Sequence, residues 1–140
     1  MPVDPTEMDE LLATPPAGSR YLDPGAMAWQ ADGPKVWTKP LHEDHARGER
    51  TLLMKIDPGA AFPLHAHDEI EQIYVLSGSF FDQDRVMRAG DFACRAPGAM
   101  HTAGSQEGAV GLLIYSRPNP EAEWEWIRAT PRGRSALLLS

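Results

Sequence analysis

Residue types that bind metal ions lie close together in the middle of this sequence. His65 and His67 are separated by one residue, Glu71 follows four positions after His67, and His101 comes thirty residues after Glu71. Side chains alternate between faces along a β-strand, so residues 65, 67, 69 and 71 would share one face. Imidazole and carboxylate groups together suit Fe, Mn, Zn, Co or Ni ions. The spacing predicts that these side chains converge on one metal ion.

Turn-forming residues frame these candidate ligands. Gly59 precedes the histidine pair and Gly78 follows the glutamate, while Pro97-Gly98 stands just before His101. Glycine adopts backbone conformations that other residues avoid, so we expect Gly59 to turn the chain into the ligand strand and Gly78 to turn it out again. A Pro-Gly turn would fix the direction in which the chain enters His101.

The elements around these residues are predicted to be β-strands, and the fold class is all-β. Thirteen prolines and twelve glycines punctuate short alternating runs, which is typical of sandwiches and barrels. A short N-terminal helix is expected to start at Asp4-Pro5, within an extension covering residues 1–19. A single β-barrel domain is expected over residues 20–128, with a tail at 129–140. Strands are predicted at residues 26–30, 35–41, 50–56, 61–67, 71–77, 79–82, 85–88, 91–95, 101–103, 110–116 and 123–127.

The bulk properties exclude several classes of protein. The 140 residues suffice for one domain, and Cys94 is the single cysteine, so no internal disulfide can form. The net charge of -7 argues against a nucleic-acid surface. The sequence has no leader-like start and no apolar run of the roughly 20 residues that a membrane span needs. We therefore expect a cytoplasmic protein that binds neither nucleic acid nor membrane.

Several other residues have two interpretations. His42 and His45 form a second pair with metal-ligand spacing, although their polar surroundings favour a solvated hairpin loop. Glu69 has the same strand parity as the ligands, but a bend after His67 would turn it away. Trp124 and Trp126 would share one face of the last predicted strand, either as edge-strand packing or at the mouth of a pocket.

The segment from residue 59 to residue 78 resembles the first conserved motif of the cupin superfamily, G-x5-H-x-H-x3-E-x6-G, at every defined position. Residues 90–105 resemble the second motif, G-x5-P-x-G-x2-H-x3-N. Gly90, Gly98 and His101 are in register with it, whereas Ala96 replaces the proline and Ser105 replaces the asparagine. Neither departure touches a candidate ligand. Residues 41–44, 62–65, 74–80 and 96–101 narrow the resemblance to ChrR-like cupins, which include anti-sigma factor cupin domains and the acetylacetone-cleaving dioxygenase.

The resemblance implies a double-stranded β-helix, or jelly-roll barrel, and one divalent metal ion per chain. It implies the ligands His65, His67, Glu71 and His101, with Fe2+ favoured over Zn2+, Mn2+ or Ni2+. The first functional hypothesis is an Fe(II)-type dioxygenase acting on a small carbonyl compound, either a diketone or a hydroxyketone. The second is a non-enzymatic zinc-binding sensor or ligand-binding module. A metal-free sugar epimerase on the same fold is weaker, because it leaves the histidine pair unexplained.

The resemblance also implies a homodimer. The predicted strand 71–77 agrees with it, because its apolar residues occupy both faces: Ile73 and Val75 on one, Tyr74 and Leu76 on the other. A strand of this kind is covered on both sides. A second subunit would cover the outer side.

Overall fold

The computed structural model describes residues 4–6 and 18–119, and within them the protein is a curled antiparallel sheet. Its helical residues are Pro5 and Thr6, together with a 3₁₀ turn at Pro24–Ala26. No helix in this described part is long and apolar enough to cross a membrane. The strands are β1 (Gln30–Ala31), β2 (Val36–Asp44), β3 (Glu49–Ile56), β4 (Ala60–His65), β5 (Ile70–Phe81), β6 (Val86–Arg88), β7 (Phe92–Arg95), β8 (His101–Ser105) and β9 (Ala109–Ser116). The all-β prediction is confirmed.

The order of the strands explains how the sheet closes into a barrel. The hydrogen-bonded order is β1-β2-β3-β9-β5-β8-β4, and β6 and β7 both pair with β5. The first part of β5 pairs with β9 and β7, and its last residues pair with β6 and β8. The long strand β5 therefore pairs with both parts of the barrel. A register shift between Val75 and Ser77, where it pairs with β9, marks the irregularity that bends it.

The core follows from strand alternation on β5 and β9. Ile73 and Val75 are buried, and Leu113 and Tyr115 on β9 face the same side. Tyr74 and Leu76 point outward and are 44% and 47% exposed in the single chain. The apolar outer side of this strand is thus uncovered in one protomer, and the homodimer stays a prediction.

Two predictions about individual strands are wrong. Residues 26–30 do not form a strand, because Asp23 caps the 3₁₀ turn by accepting a hydrogen bond from Gly25 N (3.1 Å), and β1 is confined to two residues. The predicted strands 71–77 and 79–82 form one strand that continues without interruption through Gly78. Gly78 has φ 70, and a Cβ there would lie 2.0 Å from the carbonyl oxygen of Gly108. Position 78 requires glycine because the two backbones approach each other closely there, and not because a strand ends there.

Other predictions fall on residues outside the described part. Thr6 N donates to Asp4 Oδ1 (2.8 Å), but the rest of the predicted N-terminal helix lies outside it. The same holds for the strand at residues 123–127 with its two tryptophans, for the boundary at residue 128 and for the tail at 129–140. These remain predictions from the sequence.

Candidate metal centre

The four candidate ligands come from three strands and from the connection that follows the first of them. β4 ends at His65, His67 lies in the connection that follows, and Glu71 lies on β5. His101 is the first residue of β8 and pairs directly with His65 across the sheet. The prediction that residues 65, 67, 69 and 71 share one strand face is wrong, because the chain bends at Asp68 and Glu69.

The structure brings the three histidines together. One nitrogen from each of His65, His67 and His101 lies within 4.8 Å of the others. The ring centroid of His65 is 4.3 Å from that of His101 and 5.0 Å from that of His67. Such a group could hold a metal ion.

Backbone carbonyls orient two of these rings. His65 Nδ1 lies 2.8 Å from the carbonyl oxygen of Pro63, and His101 Nδ1 lies 3.0 Å from that of Thr102. A carbonyl can only accept, so each Nδ1 donates its proton, and in the neutral ring this leaves the lone pair on Nε2. This is the arrangement that usually fixes metal-binding imidazoles. His67 is placed differently, since its own carbonyl oxygen accepts a hydrogen bond from Gly98 N (2.7 Å) in the turn before His101.

His101 fits a metal ion for two further reasons. Its Nε2 is buried and has no hydrogen-bond partner among the described residues, so this polar atom lacks the partner that buried groups ordinarily have. Burial, and then the positive charge of Arg95, lower the pKa of His101 to about 4, although the nearby Glu71 carboxylate opposes this change. The ring is therefore neutral at physiological pH, which is the form that binds metals.

Glu71 lies beside the histidines but is held by other groups as well. Its Oε2 is 3.2 Å from His67 Nε2, and its Oε1 is 3.9 Å from His101 Nε2. Arg95 Nε lies 3.3 Å from Oε1, at ion-pair distance but without hydrogen-bond geometry. The hydroxyl of Tyr115 hydrogen-bonds Glu71, and burial first, then the Glu71 charge, raise the Tyr115 pKa, so this hydroxyl keeps its proton and donates it. The group of mutually close ligand atoms contains the three histidines and does not include Glu71.

Arg95 was not among the residues that the sequence singled out. It pairs with Glu71 across β7 and β5, and its Nη2 donates to Asp82 Oδ2 at 3.1 Å. Strand parity could have identified Arg95 as an inward-facing residue, since it shares one face of its predicted strand with Ala93. An arginine in a short strand is usually taken as exposed, and only its position opposite Glu71 shows otherwise.

The histidines open onto a cavity of about 380 Å³. Its polar lining consists of His65, His67, His101, Glu71, Arg95 and Tyr115. The other lining residues are apolar: Val36, Met54, Ile56, Phe62, Pro63, Ile73, Phe80, Phe81, Met87, Ala103 and Leu113. Phe62, Phe80 and Met87 are candidates for an apolar pocket by residue type, and they line this cavity, whereas Phe92 is exposed on the outside.

The alternative polar residues lie away from the cluster. His42 Nε2 contacts Glu49 Oε2 (3.3 Å) on the β2–β3 hairpin, and the side chain of His45 is 87% exposed. Glu69 accepts a hydrogen bond from Arg50 Nη2 (3.0 Å). These contacts agree with the solvated hairpin and with a bend that turns Glu69 away.

Comparisons with known proteins agree with this architecture. The sequence profile of the ChrR Cupin-like domain matches residues 17–119. An RmlC-like cupin protein from Ralstonia eutropha is 26% identical, with a TM-score of 0.65 over 71% of this chain and 69% of that one. No curated protein matches the sequence.

Two further solved structures share the fold at lower identity. One is the complex of Rhodobacter sphaeroides SigE with the anti-sigma ChrR, at 24% identity and TM-score 0.58, covering 66% of this chain and 50% of that one. The other is proposed to be an acetylacetone dioxygenase from Methylibium petroleiphilum, at 13% identity and TM-score 0.65, covering 83% and 96%. With the profile match over most of its length, the chain belongs to the ChrR Cupin-like domain family of cupins.

Proposed function

We propose that this protein is a metal-dependent cupin enzyme, an Fe(II)-type dioxygenase acting on a small carbonyl compound such as a diketone or hydroxyketone. His65, His67 and His101 would hold the ion and Glu71 would be the fourth donor. The observation that carries the proposal is the position of three convergent imidazoles at the end of an apolar cavity. Mononuclear iron chemistry needs both protein ligands and a protected space for substrate.

The residues around the ion would each contribute to this function. A divalent ion held there would supply Lewis acidity and, as iron, would relay electrons from the carbonyl compound to O2. Three neutral imidazoles and one carboxylate would leave the ion one positive charge, which favours an enolate oxygen as the next ligand. Tyr115 and Arg95 contact the Glu71 carboxylate and would hold it in place. The apolar walls exclude water from the reacting groups.

The first experiment tests the metal and the reaction separately. The full chain is loaded with Fe(II) without oxygen, its metal content is measured, and oxygen uptake is followed across diketones and hydroxyketones. We expect stoichiometric iron and substrate-dependent oxygen consumption. His65→Ala or His101→Ala should lose most of the metal, and His42→Ala, on the solvated hairpin, should retain it. A loaded protein that consumes no oxygen with the entire panel would refute the dioxygenase.

A second candidate is a zinc-binding sensor or ligand-binding module. It is supported by the set of four donors, which could form a complete tetrahedral shell of the kind found in structural zinc sites. A structural neighbour, the anti-sigma ChrR, is found in complex with a sigma factor. Metal analysis of natively expressed protein separates the two candidates, since stoichiometric zinc favours the sensor and iron favours the enzyme.

The assembly and location belong to the same proposal. The exposed side chains of Tyr74 and Leu76 support a homodimer, because uncovered apolar residues on a sheet face are typical of interfaces. A cytoplasmic location is proposed from the lone cysteine, which suits a reducing compartment. Sedimentation of the purified chain tests the dimer.

A further inference from the structure

The polar side chains of the cavity form one connected group. Glu71 contacts His67, His101 and Arg95 at 3.2 to 3.9 Å, and Tyr115 hydrogen-bonds it. His65 joins the group through its ring contacts with the other two histidines. All polar side chains among the described lining residues are therefore at one place in the cavity.

Strand register explains why the polar groups are confined to one end. Arg50, Tyr115, Glu71 and Arg95 lie opposite one another in a single row across β3, β9, β5 and β7. The next inward-facing row is entirely apolar and consists of Leu52, Leu113, Ile73 and Ala93.

The apolar rows continue to the other end of the barrel. Met54 lies opposite Gly111, which lies opposite Val75, and Ile56 lies opposite Ala109. At about 3.3 Å per residue, Ile56 lies roughly 20 Å along β3 from the polar row. Val36, opposite Ile56 on β2, extends this apolar end to the neighbouring strand.

The one cationic side chain among the described lining residues is already engaged. Arg95 lies between the carboxylates of Glu71 and Asp82, at 3.3 Å and 3.1 Å. Two carboxylates on one guanidinium leave no free positive charge for a second anionic group of a ligand. A hydroxyl or carboxylate at the far end of a ligand would meet the apolar side chains that make up the rest of the described lining.

We propose that the cavity selects ligands with a single metal-chelating end and an apolar body, and that it rejects ligands with a polar group at the opposite end. This inference rests on the proposed metal centre and names the substrate class for it. Alkyl-substituted β-diketones belong to this class, whereas polyols, sugars and chains ending in a second carboxylate do not. The cavity of about 380 Å³ has room for roughly a dozen heavy atoms, taking about 30 Å³ for each.

The test compares two ligands that differ only at the far end. One is an eight-carbon β-diketone ending in a methyl group, and the other has the same chain ending in a hydroxyl. Each is titrated calorimetrically into the full chain loaded with zinc, which binds chelating oxygens without consuming oxygen. We expect the hydroxyl ligand to bind at least about tenfold more weakly, because an unpaired buried hydroxyl costs roughly a factor of ten to a hundred.

A pair of methionine variants makes the comparison specific to the cavity. Met54→Gln introduces an amide into the apolar wall. It should reduce the difference in affinity between the two ligands, because the hydroxyl ligand would bind more tightly and the methyl ligand more weakly. Met27→Gln is the matched control, because Met27 is not among the cavity residues, and it should leave the ratio unchanged.

The outcomes separate this inference from the proposed function. Equal affinities for the two ligands, or no heat from either, would overturn the inference. A strong preference for the methyl ligand supports it even if the iron-loaded protein consumes no oxygen, in which case only the dioxygenase is refuted. Failure to take up zinc in the loading step would overturn the metal centre and the chelating end together.

Discussion

Replacing Gly78 by alanine should destabilise the barrel far more than the same replacement at Gly90. Both residues have positive φ, 70 and 92, so an alanine at either position suffers backbone strain of about 1–2 kcal/mol. The surroundings differ: a Cβ at position 90 would meet nothing within 4 Å, whereas at position 78 it would lie 2.0 Å from the Gly108 carbonyl oxygen. Gly90→Ala is therefore a control for the strain alone.

The contact at Gly78 has an additional cost that can be estimated. The Gly108 carbonyl accepts a hydrogen bond from Ser79 N (3.2 Å), and it must move by about an ångström or more to admit the methyl group. Losing that bond and leaving its groups unpaired costs about 1–3 kcal/mol. The free energy of unfolding should thus fall by about 2–5 kcal/mol in Gly78→Ala.

The assay is thermal and urea unfolding of the two metal-free variants beside the parent protein. A difference of about 2 kcal/mol corresponds to melting temperatures roughly 6–10 °C apart for a domain of this size. Equal destabilisation of both variants would refute the reasoning, because it would show that β5 and the turn before β9 separate without loss.

Further predictions concern the residues around the metal centre. Tyr115→Phe removes the hydrogen bond to Glu71 and should weaken metal affinity by about tenfold in a chelator competition; unchanged affinity would show that the hydroxyl does not position the carboxylate. Because the His101 pKa is lowered from 6.5 to about 4, the unfolded metal-free chain takes up a proton that the folded one excludes. The free energy of unfolding should therefore fall as the pH drops from 6.5 towards 4, and a His101→Gln variant should show a shallower slope in urea unfolding. Asp82→Asn places an amide against Arg95 and should lower the free energy of unfolding by about 1–3 kcal/mol at pH 7, which thermal unfolding would detect.

The sequence predicts the barrel from short-range patterns, and it identifies the three histidines from their residue type and from the spacing of the two motifs. Alternation and turn residues identify most strands, and ligand-type side chains remain recognisable even where a strand boundary is misplaced. The prediction that residues 65, 67, 69 and 71 share one strand face is wrong because side-chain alternation holds only along a continuous strand. The chain bends at Asp68 and Glu69, and His67 lies beyond the end of β4. His101 then pairs with His65 through a long-range register that spacing cannot specify.

The residues that sequence reasoning missed depend on cross-strand neighbours. Arg95 is defined by its position opposite Glu71 and beside Asp82, and each of these contacts joins different strands or turns. Gly78 was interpreted as a strand end because glycine usually interrupts a strand. Its actual constraint is the approach of the Gly108 carbonyl, which comes from a turn thirty residues away in the sequence.

The charges around the histidines favour a cation over a proton as the occupant of this site. Glu71 and Asp82 are buried with Arg95 between them, so two carboxylates against one guanidinium leave one net negative charge in a low-dielectric region. Protonation of His101 would neutralise that charge, but burial and the positive charge of Arg95 oppose it and outweigh the attraction of Glu71. A divalent ion at the unpaired Nε2 of His101 would supply the charge while needing no proton on any imidazole. The positive charge of Arg95 thus helps to keep His101 in its metal-binding form. Because Arg95 also pairs with Asp82, this ion pair behind the site is linked to the affinity of the site itself.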